Sequence, residues 1–238
     1  MENPLLIPKE RGKYRIIVAL DRVPMNKLGS LHQLVNIAIN EASGIKIGLP
    51  LLLELGIERI KDIVSGVSDY EALAIADLKL ADIGDIMVLI LNKLARIGFN
   101  AIIAHSFTGC EDALCKLAKN SKNLGIPLIA VVSMSHKGAE EIMNPLIDKL
   151  LEIAINKAEV EGLVVPATRP GTISYVRTKA DRKVALFAPG VGVQGAPFGS
   201  ALAAGADYEI IGRSIVLAEN PIMKLRDIAR KQLELVGE

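Results

Sequence analysis

The chain has 238 residues, half of them hydrophobic, only 3% aromatic and none of them tryptophan. That length suits one large domain or two small ones, with a core built from Ile, Leu, Val and Ala. The formal charge is +1, from 28 basic and 27 acidic residues. This excludes a basic nucleic-acid surface, and aromatic rings for base stacking are scarce.

The first stretch, "MENPLLIPKERGKYR", lacks a basic segment followed by a long apolar one, so it does not read as a signal peptide. No apolar run approaches membrane-spanning length; "IMVLIL" is bounded by Asp85 and Asn92. A soluble, cytoplasmic protein with no membrane partner is expected. Strand candidates then follow as "RIIVAL" (15–20), "GIKIG" (44–48), "ALAIADLK" (72–79) and "AIIAHS" (101–106). Four more are "PLIAVVS" (127–133), "GLVVP" (162–166), "VALFAP" (184–189) and "YEIIG" (208–212). Amphipathic segments lie between them, at 83–97, 110–120, 144–158 and 221–236, with apolar residues recurring every three or four positions. Thr168-Arg169-Pro170 and Asn220-Pro221 each place a capping candidate ahead of an early-helix proline. "ARIGFN" and "NLGIP" put glycine at helix ends. Cys110 and Cys115 fit no common zinc or redox spacing and read as two small residues on one helix. Such β–α alternation predicts a (β/α)8 TIM barrel, with an open doubly wound sheet as the rival. No linker or composition shift divides the chain, so residues 1–238 read as a single domain.

A barrel keeps its active site at the C-terminal ends of its strands. Those ends carry Asp21, Lys46, Asp77 with Lys79, His105 with Ser106, Ser133 with Ser135, Pro189, and Gly212-Arg213. Alternation along "DLKLAD" turns Asp77 and Lys79 to the same, interior face. Asp82 lies past the strand, where alternation no longer gives a direction. A lysine between carboxylates stays protonated and can act as a positioned proton donor. A structural ion cluster is the competing reading for one such pair; four charged strand ends favour function. His32 reads as a surface residue, and His105 and His136 as satisfied polar residues rather than metal ligands.

"GVGVQG" (190–195) matches G-x-G-x-x-G, but it follows the seventh strand rather than opening a first β–α turn, so a dinucleotide site is disfavoured. Loops after strands 7 and 8 of a barrel often bind phosphate. Backbone N–H groups of this loop and of the Gly212 turn, the Gln194 amide and the Arg213 fork supply the donors. A loop that moves over the bound group fits the same glycines.

"VALD", "KIG", "DLKLADI", "MSHKGA", "PATRPG", "APGVGVQG" and "IIGRSI" occur in this order across nearly the whole chain. Together they resemble the orotidine 5′-phosphate decarboxylases of the archaeal–bacterial short form. The resemblance implies decarboxylation of orotidine 5′-monophosphate to uridine 5′-monophosphate, without metal or cofactor. It implies that Asp21 and Lys46 hold the ribose, that Asp77 sits beside the substrate carboxylate, and that Lys79 protonates the carbon losing CO2. It also implies a homodimer in which Asp82, with Ile83 beside it, reaches the other subunit's site. Ser135 would bind the pyrimidine and Pro189 border the site; Gln194, Gly212 and Arg213 would hold the phosphate. Magnesium-dependent hexulose-phosphate synthases and keto-gulonate-phosphate decarboxylases share D-x-K-x-x-D, but they have a metal-binding glutamate where this chain has Lys46, and an ammonium cannot replace a carboxylate on magnesium. Two positions depart from the pattern. Ile86 stands where a threonine contacts the ribose, and Val216 where a tyrosine touches the phosphate. A phosphate-binding barrel without the chemistry is the alternative of another class.

Overall fold

The computed structural model describes residues 3–7 and 13–237, so part of the N-terminal stretch read against a signal peptide lies outside the described residues. Eight parallel strands form a closed barrel in chain order. They are β1 (Tyr14–Ala19), β2 (Ala42–Gly48), β3 (Leu73–Leu80), β4 (Ala101–His105), β5 (Leu128–Val131), β6 (Gly162–Val164), β7 (Ala185–Pro189) and β8 (Tyr208–Ile211). Every predicted strand is present with shifted ends. Closure comes from pairing of β1 with β8, Ile17 opposite Ile210, which removes the open sheet from consideration. The strands are buried on both faces, and their near-continuous runs of Ile, Leu, Val and Ala follow from that. Leu5, fully buried, plugs the end of the barrel away from the strand C-termini; a Cβ on Gly162 would come within 2.8 Å of it. Tyr208 fixes this plug, its hydroxyl donating to the Leu5 carbonyl at 2.9 Å and accepting from the Ile7 N–H at 2.8 Å.

The longer helices are α1 (Leu31–Glu41), α2 (Leu49–Val64), α3 (Gly84–Ile97), α4 (Cys115–Leu124), α6 (Pro170–Lys179) and α9 (Pro221–Val236); α5 (Ile147–Leu151), α7 (Ser200–Ala203) and α8 (Arg213–Val216) are short. Gly98 and Gly125, with φ of 110° and 67°, end α3 and α4 in the left-handed conformation expected of them. Asn220 caps α9 by accepting from the Met223 N–H at 3.0 Å. Thr168 does not cap α6: the residue before Pro170 is Arg169, and the Thr168 hydroxyl is buried without a partner among the described residues.

The two cysteines also differ from expectation. On one regular helix, positions five apart face different sides. Here Glu111, Asp112 and Ala113 leave helical geometry, and Cys110 and Cys115 close a disulfide with their Cα atoms 4.7 Å apart. The predicted helix at 144–158 is regular only over α5 and continues as a wider turn at Glu152–Lys157. Among the described residues, no helix is long and apolar enough to cross a membrane.

Candidate active site

The strand C-termini open into a cavity of about 290 Å³. Its floor is apolar, made by Ile103, Val131, Val164 and Ile210, and its walls carry the charges.

Lys46 on β2 is the centre of one wall. Its ammonium lies 2.7–2.8 Å from both oxygens of Asp21 and 2.8 Å from Asp77. Lys79 in turn lies 2.8 and 2.9 Å from the two Asp77 oxygens. The result is an alternating row, Asp21–Lys46–Asp77–Lys79. Lys46 and Asp77 are buried, whereas the Asp21 and Lys79 side chains keep 35% and 40% exposure and face the cavity. Burial alone would push the Lys46 pKa down; the Asp77 and Asp21 carboxylates outweigh it, and the net shift is upward. Burial would likewise raise Asp77, but Lys46 and Lys79 outweigh it and hold the carboxyl below its ordinary range. At neutral pH both are therefore charged.

Two backbone details permit the row. A Cβ on Gly48 would lie 2.1 Å from an Asp21 oxygen, so glycine in "KIG" makes room for that carboxylate. Lys79 has φ of 47°. The β3–β4 pairing jumps from Ala76–Ile102 to Leu80–Ala104, so Asp77 to Lys79 bulge out of register. The pair meets on the interior as alternation predicts, but through a bulge rather than a regular strand. A left-handed non-glycine residue costs about 1–2 kcal/mol, and the ion pairs hold it there.

On the opposite side, Pro189 ends β7 and the glycine loop begins. Gly190 and Gly192 have φ of 105° and 76° and need glycine for that conformation. Gln194 reaches back across the mouth, where the Ser135 hydroxyl donates to its Oε1 at 3.5 Å. Gly212 packs on β1, where a Cβ would lie 3.2 Å from the Ala19 carbonyl oxygen, and Arg213 follows at the rim. Arg22 joins this rim, a residue sequence reasoning did not single out. The cavity thus holds two carboxylates (Asp21, Asp77) against four cations (Arg22, Lys46, Lys79, Arg213), an excess of positive charge suited to an anionic ligand.

Asp21, Lys46, Asp77, Lys79, Ser135, Pro189, Gln194, Gly212 and Arg213 all line the cavity. Asp82 and Ile83 do not. Asp82 is exposed beyond β3, its side chain accepting from the Ile83 N–H at 2.7 Å, and Ile83 is 63% exposed. Val216 is buried away from the cavity, and Ile86 lies exposed on α3. His32 is exposed as expected. His105, expected to be satisfied, is not: it is buried against Phe107, with Nδ1 unpartnered among the described residues. Burial, and then the Lys79 charge, push its pKa down to about 4, so the ring is neutral. Among the described residues, no group of three or more His, Cys, Asp or Glu side chains is placed to hold a metal ion.

Comparison with known proteins agrees with this fold. Residues 14–228 match the family model described as "Orotidine 5′-phosphate decarboxylase / HUMPS family". An orotidine 5′-phosphate decarboxylase of Aeropyrum pernix is 42% identical over 216 residues, covering 90% of this chain and 87% of the relative. One from Sulfurisphaera tokodaii is 40% identical over 94% of this chain and 97% of its own length. The crystal structure of the Sulfolobus solfataricus orotidine 5′-monophosphate decarboxylase superposes with a TM-score of 0.84 at 36% identity, covering 94% of this chain and all of the other. That of the Methanocaldococcus jannaschii enzyme, complexed with inhibitor BMP, gives 0.79 at 31% identity over 95% of this chain and all of the other. The chain belongs to the orotidine 5′-phosphate decarboxylase / HUMPS family, and these relatives within it are orotidine 5′-phosphate decarboxylases.

Proposed function

We propose that this chain, as one catalytic domain in the cytoplasm, converts orotidine 5′-monophosphate to uridine 5′-monophosphate and CO2 in pyrimidine biosynthesis, using neither metal nor cofactor. The row Asp21–Lys46–Asp77–Lys79 is the observation that carries this reading. The substrate carboxylate sits beside Asp77. The bond from the pyrimidine ring to the carboxylate breaks, its electron pair stays on the ring carbon, and CO2 leaves. The Lys79 ammonium gives that carbon a proton and regains one from water. Two like charges 4 Å apart at an effective dielectric of 20 repel by about 4 kcal/mol. Enzymes lower barriers by up to ~23 kcal/mol. Repulsion from Asp77 is thus the smaller share, and Lys79 stabilising the developing carbanion is the larger.

Lys46, between two carboxylates and with a raised pKa, is a cation where a metal-dependent relative would need an anionic ligand. Asp21 and Lys46 hold the ribose, Ser135 the pyrimidine, and Gln194, Gly212 and Arg213 the phosphate, with Pro189 at the border. Asp82 and Ile83 serve a second copy of the chain. In support, both point out of their own cavity, and Ile83 just before α3 and Ile86 and Leu89 on it lie exposed, as do Leu49, Leu53 and Ile57 on the neighbouring α2. Six exposed apolar side chains, five on two adjacent helices and one at the start of α3, call for a partner surface.

The test is uridine monophosphate formation from orotidine monophosphate, with and without EDTA. The expected result is equal turnover in both. Loss on chelation restored by magnesium points to the metal-dependent branch, and no turnover with retained nucleotide binding points to a binding barrel.

A further inference from the structure

Glu209 is a fully buried carboxylate that the proposed reaction does not use. It lies on β8 between Tyr208 and Ile210. Ile210 lines the cavity, so alternation turns Glu209 outward, into the helix layer. There its Oε2 accepts from the Gly199 N–H at 2.9 Å and from the Gln232 amide of α9 at 2.9 Å, and its Oε1 accepts from the Ala201 N–H at 3.1 Å. Two of these donors close the segment that begins as the glycine loop, and the third belongs to the C-terminal helix. Burial pushes the carboxyl pKa up against the pull of those donors, so a polar group is kept here at a cost a leucine would avoid.

The loop's downstream end is seated on α9 as well. A Cβ on Gly199, at φ 87°, would come within 3.1 Å of the Gln232 Cα and 3.2 Å of the Leu235 Cβ. The Phe198 ring lies under the Lys224 and Lys231 ammonium groups at 5.7 and 5.9 Å. The other face of the loop meets α8, which follows β8 directly: a Cβ on Gly192 would lie 2.4 Å from the Ser214 hydroxyl and 3.1 Å from the Phe198 ring. β8 therefore carries Glu209, the tie that fixes the loop bearing Gln194, and four residues on, across the Gly212 turn, the chain places Arg213 at the start of α8.

We infer that Glu209 is a positioning residue: it holds the downstream hinge of the glycine loop in register with Arg213, so that both arms close on the same anionic group. This rests on the reading of Gln194 and Arg213 as the phosphate arms. The test compares the intact protein with Glu209→Leu and Glu209→Gln. It measures kcat/KM for orotidine monophosphate and for phosphate-free orotidine, and hydrogen exchange over residues 190–201. In Glu209→Leu, kcat/KM for the phosphorylated substrate falls about tenfold, the loss expected for unpairing a buried donor, while that for orotidine stays within about twofold. Exchange across 190–201 quickens. Glu209→Gln, which keeps the shape and one acceptor, shows a smaller loss with the same split. Equal losses on the two substrates, or unchanged exchange, overturn the proposal. Should the leucine variant fail to fold, the glutamine variant decides by the same split. Should the intact protein turn over neither substrate, the functional reading fails, and the exchange measurement alone still decides whether Glu209 holds the hinge.

Discussion

On the β1–β3 side of the cavity the functional groups are side chains that fix one another: Lys46 lies 2.8 Å or less from Asp21 and Asp77, and Lys79 closes the row on Asp77. On the β7–β8 side the groups are the backbone of a glycine loop, one amide and one guanidinium, and their placement depends on contacts outside the barrel. The first side suits a step in which charge moves by a bond length and donors must not reorganise. The second suits a group that must enter, be gripped and leave. If the proposed reaction is right, substitutions on the two sides should fail differently, one in kcat and the other in KM.

The largest effect belongs to Lys79→Ala. Losing the proposed proton donor should lower kcat by about 10²–10⁴-fold or more, with the fold retained because Lys79 is 40% exposed and Lys46 still partners Asp77. Single-turnover kinetics and a thermal melt check this together; near-normal kcat removes Lys79 from the chemistry. The same variant tests whether Asp82 crosses to a partner. Lys79→Ala and Asp82→Ala subunits, each inactive alone, are refolded together. A shared site regenerates one intact centre per mixed dimer, giving about a quarter of wild-type activity for random pairing. No recovery from mixed dimers places Asp82 in its own subunit's site, and activity of Asp82→Ala alone places it outside catalysis.

Arg213→Ala is the matching substitution on the other side. A charge-assisted hydrogen bond contributes about 1.5–3 kcal/mol, so KM for the phosphorylated substrate rises by about 10–100-fold, while kcat changes less. Steady-state kinetics on both parameters separates the outcomes. A fall in kcat equal to that of Lys79→Ala, with KM unchanged, would erase the distinction between the two sides.

Much of this contrast was readable in the residues. Strand ends stand out because an apolar β-branched run that stops at Asp21, Lys46, Asp77 or Arg213 has no packing reason to do so. The bulge at Lys79 was not readable, since it arises from how β3 registers on β4, two strands whose pairing no local pattern specifies. The direction of Asp82 was lost for a related reason: alternation ends with the strand. Gly48 was visible in "KIG", but its purpose, room for the Asp21 carboxylate, needs the neighbouring strand. The floor residues Ile103, Val131, Val164 and Ile210 obey alternation yet look like any other core positions. Glu209 did leave a signal, a charge inside "YEIIG", as did Gln232 in the apolar stripe of α9. Neither meant anything until the fold placed them 2.9 Å apart.

The disulfide sharpens the comparison at its smallest expected effect. The Cys110–Cys115 loop lies against the first turn of α3, just past Asp82. A Cβ on Gly84 would come within 2.8 Å of the Asp112 carbonyl oxygen, and Lys116 pairs with Asp85 at 2.7 Å. The brace thus touches the segment that leads out of the site, not the buried row itself. A cross-link closing so short a loop contributes about 2 kcal/mol through the unfolded chain. For a protein of this length that corresponds to a fall in Tm of about 4–8 °C in Cys110→Ser/Cys115→Ser, or in the native chain under reductant. Because Lys46, Asp77 and Lys79 sit on β2 and β3 and Lys46 fixes Asp21, kcat should stay within about twofold when the bridge is opened. Thermal melts and initial rates with and without reductant measure both. A large loss of kcat without a change in Tm would show that the strand-held side is not self-sufficient, and that the loop against α3 sets the position of Asp82.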